Sequence, residues 1–217
     1  MTRKIPQQSF GSLRVHPPPC LTGQRIGVMG GSFNPPHAGH RIAAEAAMKR
    51  LGLDQLWWLI TPGNPLKSRD GLSAVNGRMD LVRQFAVGPK MKVTGFEREL
   101  GTNYTAATLA FLKHRHPGVR FVWIMGADNL ASFDRWQHWR SIADIMPIAV
   151  VDRPGWRLRG LSSPAALALS RWRLPESEAR SLVDKKPPAW TLLTIRLSDL
   201  SSTALRNAAT PAAAVTS

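Results

Sequence analysis

The chain has 217 residues, 43% hydrophobic and 20% charged, which suits one globular domain with a buried core. No apolar run reaches the roughly 18 residues of a membrane span. The first 24 residues lack a secretory signal's apolar core and cleavage site, and the lone Cys20 excludes an intramolecular disulfide or a cysteine metal cluster, so the expected compartment is the cytoplasm. The 29 Lys+Arg against 14 Asp+Glu give +15, a field that attracts anions, but the arginines are scattered and charge alone selects no partner.

Met1 to Gln24, with Pro6, Pro17, Pro18 and Pro19 among polar residues, is expected as a loosely ordered extension. From Arg25 the pattern changes. Ile26-Gly27-Val28-Met29 reads as a buried strand that stops at Gly30-Gly31. Ala38 to Leu51 is helical in composition, with Pro35 and Pro36 just ahead, where proline is tolerated. Strands follow at Leu56 to Ile60, Lys92 to Thr94, Phe121 to Met125, Ile148 to Val151 and Leu192 to Ile195. Helices are expected near Val75 to Ala86, Tyr104 to Lys113 and Ser132 to Ile145, while Trp156 to Pro188 is irregular and unassigned. Apolar strands alternating with helices predict an α/β fold, a parallel sheet with helices on both faces. Its ligand crevice should lie beyond the carboxyl ends of the strands.

The loop after the first strand, Gly30-Gly31-Ser32-Phe33-Asn34-Pro35-Pro36-His37-Ala38-Gly39-His40, is the most informative segment. It lacks both the Gly-x-Gly-x-x-Gly spacing of dinucleotide sites and the Gly-Lys-Ser/Thr of a P-loop. Two glycines let backbone amides come close to a phosphate, and the helix after Pro36 offers free amides and a positive dipole end to an anion. His37 and His40 are three apart and share one helix face. Two such histidines also occur on solvated faces or as metal pairs, but a metal would want a third ligand, and none is near in sequence.

This segment resembles the His-x-Gly-His signature of the nucleotidylyltransferase superfamily, and its Gly-Gly-Ser-Phe-Asn-Pro form is similar to bacterial nicotinate-nucleotide adenylyltransferases. The resemblance implies a Rossmann-like domain of the nucleotidylyltransferase type, a role in NAD biosynthesis, and contact of His37 and His40 with the ATP phosphates. Further segments follow in the family's order. Pro62-Gly63-Asn64-Pro65-Leu66-Lys67 resembles the loop after the second strand, where Lys67 would set a mobile charge beside the phosphates. Tyr104-Thr105-Ala106-Ala107-Thr108-Leu109 resembles a helix start that receives the nicotinate carboxylate, a use that suits free amides. Thr102 or Asn103 could cap that helix whatever the function. Gly126-Ala127-Asp128 resembles the loop after the fourth strand, with Asp128 accepting from ribose hydroxyls. In Phe133 to Ile142, Trp136 is the candidate to stack on the pyridine ring and Trp139 is assigned to the core. Arg153-Pro154-Gly155 is expected as a structural turn. Ser201-Ser202-Thr203-Ala204-Leu205-Arg206 is similar to the superfamily's second signature, in which hydroxyls, amides and Arg206 converge on a phosphate.

The expected organisation is an extension over 1–24, one domain over 25–207 and a flexible tail over 208–217. His37, His40, Lys67 and Arg206 are the expected catalytic groups. ATP would lie against Gly30, Gly31, Ser32, Phe33, His37, His40, Gly126, Asp128, Ser201, Ser202, Thr203 and Arg206. The acceptor, nicotinate mononucleotide, would meet Ser32, Asn34, Lys67, Tyr104, Thr105 and Trp136. Mg²⁺ would come with ATP and no side chain would bind metal. No membrane or nucleic-acid partner is expected, and a homo-oligomer is left open. Two alternatives stand beside this reading. One is transfer to another phosphorylated acceptor, such as nicotinamide mononucleotide or phosphopantetheine. The other is a basic RNA-binding module gripping single strands with Trp and Arg, which accounts for the charge but not for the ordered phosphate loops.

Overall fold

In the computed structural model, which describes residues 15–62, 74–102 and 104–195, six strands form one sheet. They are β1 (Arg25–Gly31), β2 (Gln55–Ile60), β3 (Met91–Thr94), β4 (Arg120–Gly126), β5 (Ile148–Val151) and β6 (Trp190–Leu193). Every pairing is parallel and the order is β3-β2-β1-β4-β5-β6. A strand covered on both faces has no polar side to show, which is why these segments read as continuous apolar runs. Their alternate residues divide the core in two. Val28, Trp57 and Trp123 face one layer, while Met29, Trp58 and Ile124 face the other.

The helices are α1 (Ala38–Leu51), α2 (Val75–Arg83), α3 (Glu97–Leu100), α4 (Thr105–Arg115), α5 (Ala127–Leu130), α6 (Trp139–Ile145), α7 (Arg157–Leu161) and α8 (Pro164–Ala168). α1 buries Ala44, Ala47 and Leu51 in the second layer and ends at Gly52, whose left-handed φ of 61° carries a C-cap that side chains seldom adopt. α4 and α6 bury Leu109, Leu112 and Ile142 in the first layer. β1 and β4 are adjacent, and the chain winds outward from them in opposite directions. This is the topological switch point of a doubly wound sheet, and it puts the crevice at the carboxyl ends of β1 and β4.

Three expectations are corrected. The helix expected from Ser132 to Ile145 is broken. Phe133–Arg135 is a 3-10 turn, Trp136 is extended, His138 is left-handed at φ 56°, and α6 starts only at Trp139. The two tryptophans therefore do not share a helix face. Trp139 is a core residue, as expected, and Trp136 packs edge-on against Phe133 at 5.5 Å. The unassigned stretch from Trp156 to Pro188 holds α7, α8 and two 3-10 segments, Ser170–Trp172 and Glu176–Asp184. These elements are too short to leave a clear period in the sequence.

Residues 15–24, read as part of a loose extension, lie against the body. Val15 and Cys20 pack on the first layer, and the Gly23 amide donates to Gly118 O at 2.8 Å. Among the described residues no helix is long and apolar enough to cross a membrane.

Candidate active site

The loop after β1 is held by its own aromatic ring. Phe33 has a left-handed backbone, φ 45°, which is costly for a residue with a side chain. Its buried ring packs 5.0 Å from the His40 ring and 5.3 Å from Trp58, and this packing over-determines the strained turn. Phe33, expected to touch ATP, lies edge-on against the His40 imidazole. Gly30 is explained by packing rather than by phosphate approach alone. A Cβ there would come 2.1 Å from the Trp123 indole, which lies across it from β4. A Cβ on Gly31 would meet the Phe33 ring at 3.1 Å.

His37 is the extended residue just before α1, and His40 lies in the first turn. Their ring centroids are 3.8 Å apart. The His37 amide donates to His40 Nδ1 at 3.2 Å. Because Nδ1 accepts, the neutral ring carries its proton on Nε2, which becomes a donor. His37 is 3% exposed, yet among the described residues neither of its ring nitrogens has a hydrogen-bond partner. A buried polar group without a partner is rare and costly, and here it marks a place for a ligand. Burial first, and then the Arg153 charge, lower the His37 pKa from 6.5 to about 4. Burial, His37 and Arg153 hold His40 well below its usual value. Both rings are therefore neutral at pH 7. The unfolded chain takes up these protons first, so the associated stability is present above pH 6.5 and is lost as pH falls toward 4.

At the end of β4, Asp128 Oδ2 accepts from Arg153 Nη1 at 2.6 Å, and its buried Oδ1 has no partner among the described residues. Gly126 is needed beside it, since a Cβ there would lie 2.4 Å from that oxygen. Arg153 was expected only as part of a turn. It instead pairs with Asp128 and its charge helps to keep the imidazole pair neutral, a role its place in an Arg-Pro-Gly turn does not signal. The buried Asp152 steadies it. Its carboxylate accepts from the Arg153 amide at 2.9 Å and from Arg157 Nε at 2.8 Å.

The second group of residues lies on the α4/α6 side. Tyr104 is the extended residue before α4 and is partly exposed, and its amide donates to Thr102 Oγ1 at 3.1 Å. Thr102 therefore holds the approach to the helix rather than capping its first turn, and Asn103 lies outside the described residues. The amides that α4 leaves without an intrahelical acceptor are those of Thr105 and Ala106. Trp136, just ahead of α6, is half-buried and packs on the same layer as α4, and its Nε1 has no partner among the described residues. Ser32 and Asn34 lie in the β1 loop, where the Ser32 carbonyl accepts from Arg78. Lys67, Ser201, Ser202, Thr203 and Arg206 lie outside the described residues.

Besides Asp152, two more buried ionisable residues escaped the sequence reading. Arg78 of α2 is 1% exposed and binds the loops after β1 and β2. Glu97 of α3 is 1% exposed and accepts from Thr108 Oγ1 at 2.7 Å, which ties α3 to α4. Burial raises the Glu97 pKa from 4.5 to about 7, and the Thr108 bond acts in the other direction. Between these two values the folded protein binds the extra proton, so stability falls as pH rises through that window. Because the histidines pull the other way in both proteins, the Glu97 contribution is read as a difference: in thermal melts from pH 5 to pH 8 the native chain should lose stability relative to Glu97→Gln. An equal slope in both proteins would remove Glu97 as its source.

Residues 28–208 match the cytidylyltransferase-like family. A protein of Agrobacterium fabrum named probable nicotinate-nucleotide adenylyltransferase is 57% identical over 182 residues, 84% of this chain and 97% of its own. Its namesake from Rhizobium meliloti is 55% identical over 183 residues, again 84% of this chain and 97% of the relative. Among solved structures, the nicotinic acid mononucleotide adenylyltransferase of Plasmodium falciparum complexed with NaAD superposes with a TM-score of 0.64. It covers 85% of this chain and 83% of that one at 19% identity, a likeness of fold. With the doubly wound sheet and the histidine pair at its switch point, these matches place the chain in the nicotinate-nucleotide adenylyltransferase family of cytidylyltransferase-like proteins.

Proposed function

We propose that this chain transfers the adenylyl group of ATP to nicotinate mononucleotide, giving deamido-NAD and pyrophosphate in NAD biosynthesis. The observation that carries the proposal is the uncharged His37–His40 pair at the switch point of the sheet, with His37 buried and its ring nitrogens without partners among the described residues. The names of the 57% and 55% identical relatives support the choice of acceptor.

The acceptor's 5′-phosphate oxygen attacks the α-phosphorus of ATP. A P–O bond forms there, the α–β bridging P–O bond breaks, and its electron pair leaves with pyrophosphate. The attacking oxygen is already anionic, so the protein needs to position and neutralise rather than remove a proton. His40 donates from Nε2 and His37 stands 3.8 Å away, ring to ring, to meet the phosphate oxygens. Lys67 and Arg206, with Ser201, Ser202 and Thr203, complete the cradle in this proposal, and Gly30, Gly31 and Gly126 keep its floor low. Asp128 binds ribose through its unpaired oxygen, while Ser32, Asn34, Tyr104, Thr105 and Trp136 hold the acceptor. Among the described residues no three His, Cys, Asp or Glu side chains converge as a metal cage, and the groups at the β1 loop are imidazoles beside a guanidinium. Magnesium takes oxygen ligands, so in this proposal the triphosphate rather than these imidazoles or the guanidinium would carry it, and it would offset the phosphate charge. The cytoplasmic location expected from the sequence belongs to the same proposal.

The test is pyrophosphate release from ATP with nicotinate mononucleotide, nicotinamide mononucleotide or phosphopantetheine as acceptor. The nicotinate form should give the highest kcat/KM. A preference for phosphopantetheine, or no release with any pyridine nucleotide, would end the reading.

A further inference from the structure

The β1–β2 ladder runs one step past its last paired residues, where the Thr61 amide donates to Gly31 O at 3.0 Å. Beyond that rung the two strands part, and the carbonyls of Ser32 and Thr61 are left without the partners a further strand residue would supply. Arg78 Nη1 takes both, at 2.6 Å from Ser32 O and 2.9 Å from Thr61 O. One nitrogen with two hydrogens thus acts as an extra rung between the loops. The side chain comes from α2, which returns to the sheet after the β2 loop, and is 1% exposed. Burial works against its charge, so a guanidinium held here is sustained by the groups it binds.

We propose that Arg78 is a positioning residue for adenylyl transfer. By bonding both carbonyls it fixes the loop that carries His37 and His40 against the end of β2, so that the imidazoles meet the triphosphate at a set position. This inference rests on the function proposed above, because it takes the β1 loop to hold the triphosphate. Arginine suits the task where lysine would not. The two hydrogens on Nη1 are held in the guanidinium plane at a fixed angle, whereas an ammonium on a flexible stem rotates freely and sets no distance between two oxygens. Misplacing reacting groups by about 1 Å costs on the order of 100-fold in rate, so loops that drift apart should be felt in turnover even though Arg78 touches no substrate.

The experiment compares the native chain with Arg78→Lys and Arg78→Ala. Amide exchange, which needs no turnover, is read at Thr61 and, as a distant control, in β5. Exchange at Thr61 should quicken at least tenfold in Arg78→Lys while β5 keeps its protection. In the same protein kcat/KM for ATP should fall roughly 10- to 100-fold, with a cooperative melt still above the assay temperature. Millimolar guanidinium should restore part of the lost kcat in Arg78→Ala without moving its Tm. Unchanged exchange at Thr61 would overturn the loop-tying role whatever the enzyme's substrate proves to be. Faster exchange with native kcat and KM would overturn the link to catalysis, as would activity losses that match only the fraction unfolded. Failure of the wider reading looks different, because the native chain itself would then release no pyrophosphate with a pyridine nucleotide.

Discussion

His40→Ala should lower kcat by about two to three orders of magnitude, the usual cost of removing one preorganised donor to a developing charge. The prediction follows from the tautomer. The His37 amide occupies Nδ1, so the His40 proton sits on Nε2. Burial and neighbouring charge keep the ring neutral, so it enters the reaction as a hydrogen-bond donor and not as a standing cation. A donor of this kind gains most as negative charge builds on the oxygens it faces. kcat and kcat/KM for ATP should therefore fall together, the signature of an interaction made chiefly in the transition state. The fold should survive, because the lost ring contact and one amide bond are worth about 1 kcal/mol. Steady-state kinetics alongside a thermal melt decide the matter. A folded variant with near-native kcat would take His40 out of the chemistry, and a rise in KM alone would reduce it to a binding contact.

The second large effect is steric. A methyl group on Gly30 would come 2.1 Å from the Trp123 ring, and that ring is itself buried in the first core layer. An interior at crystal-like packing density cannot yield by that much cheaply. Gly30→Ala should cost about 3 kcal/mol, the upper end for overpacking. It should also weaken ATP turnover, since the displaced β1 end carries the phosphate loop. The double-mutant cycle isolates the cause. In a Trp123→Leu background the cost of Gly30→Ala, read by denaturant melts, should shrink by about 1 kcal/mol or more. Equal costs in the two backgrounds would acquit the indole and leave the backbone as the reason for glycine.

The sequence alone determined the sheet and the segment that matters. β5 and α1 appear with the residues expected of them, and β1, β2, β3 and β4 differ by a residue or two at their ends. Strands buried on both faces and a helix of several turns leave regular apolar patterns, which survive in a linear reading. The tight loop with His37 and His40 was equally legible, because its chemistry is packed into consecutive residues. What only the tertiary structure decided involves partners far apart in the chain. Arg78 looks like any exposed helix arginine until Ser32 O and Thr61 O are seen beside it. Glu97 meets Thr108 across a turn, Arg153 reaches back to Asp128, and Gly30 answers to an indole from β4. Such pairings follow from strand order and crossover geometry, which no local period records. The break at His138 is local instead, with Trp136 packed edge-on against Phe133 three residues earlier, on the first core layer, in place of the helix that composition favoured.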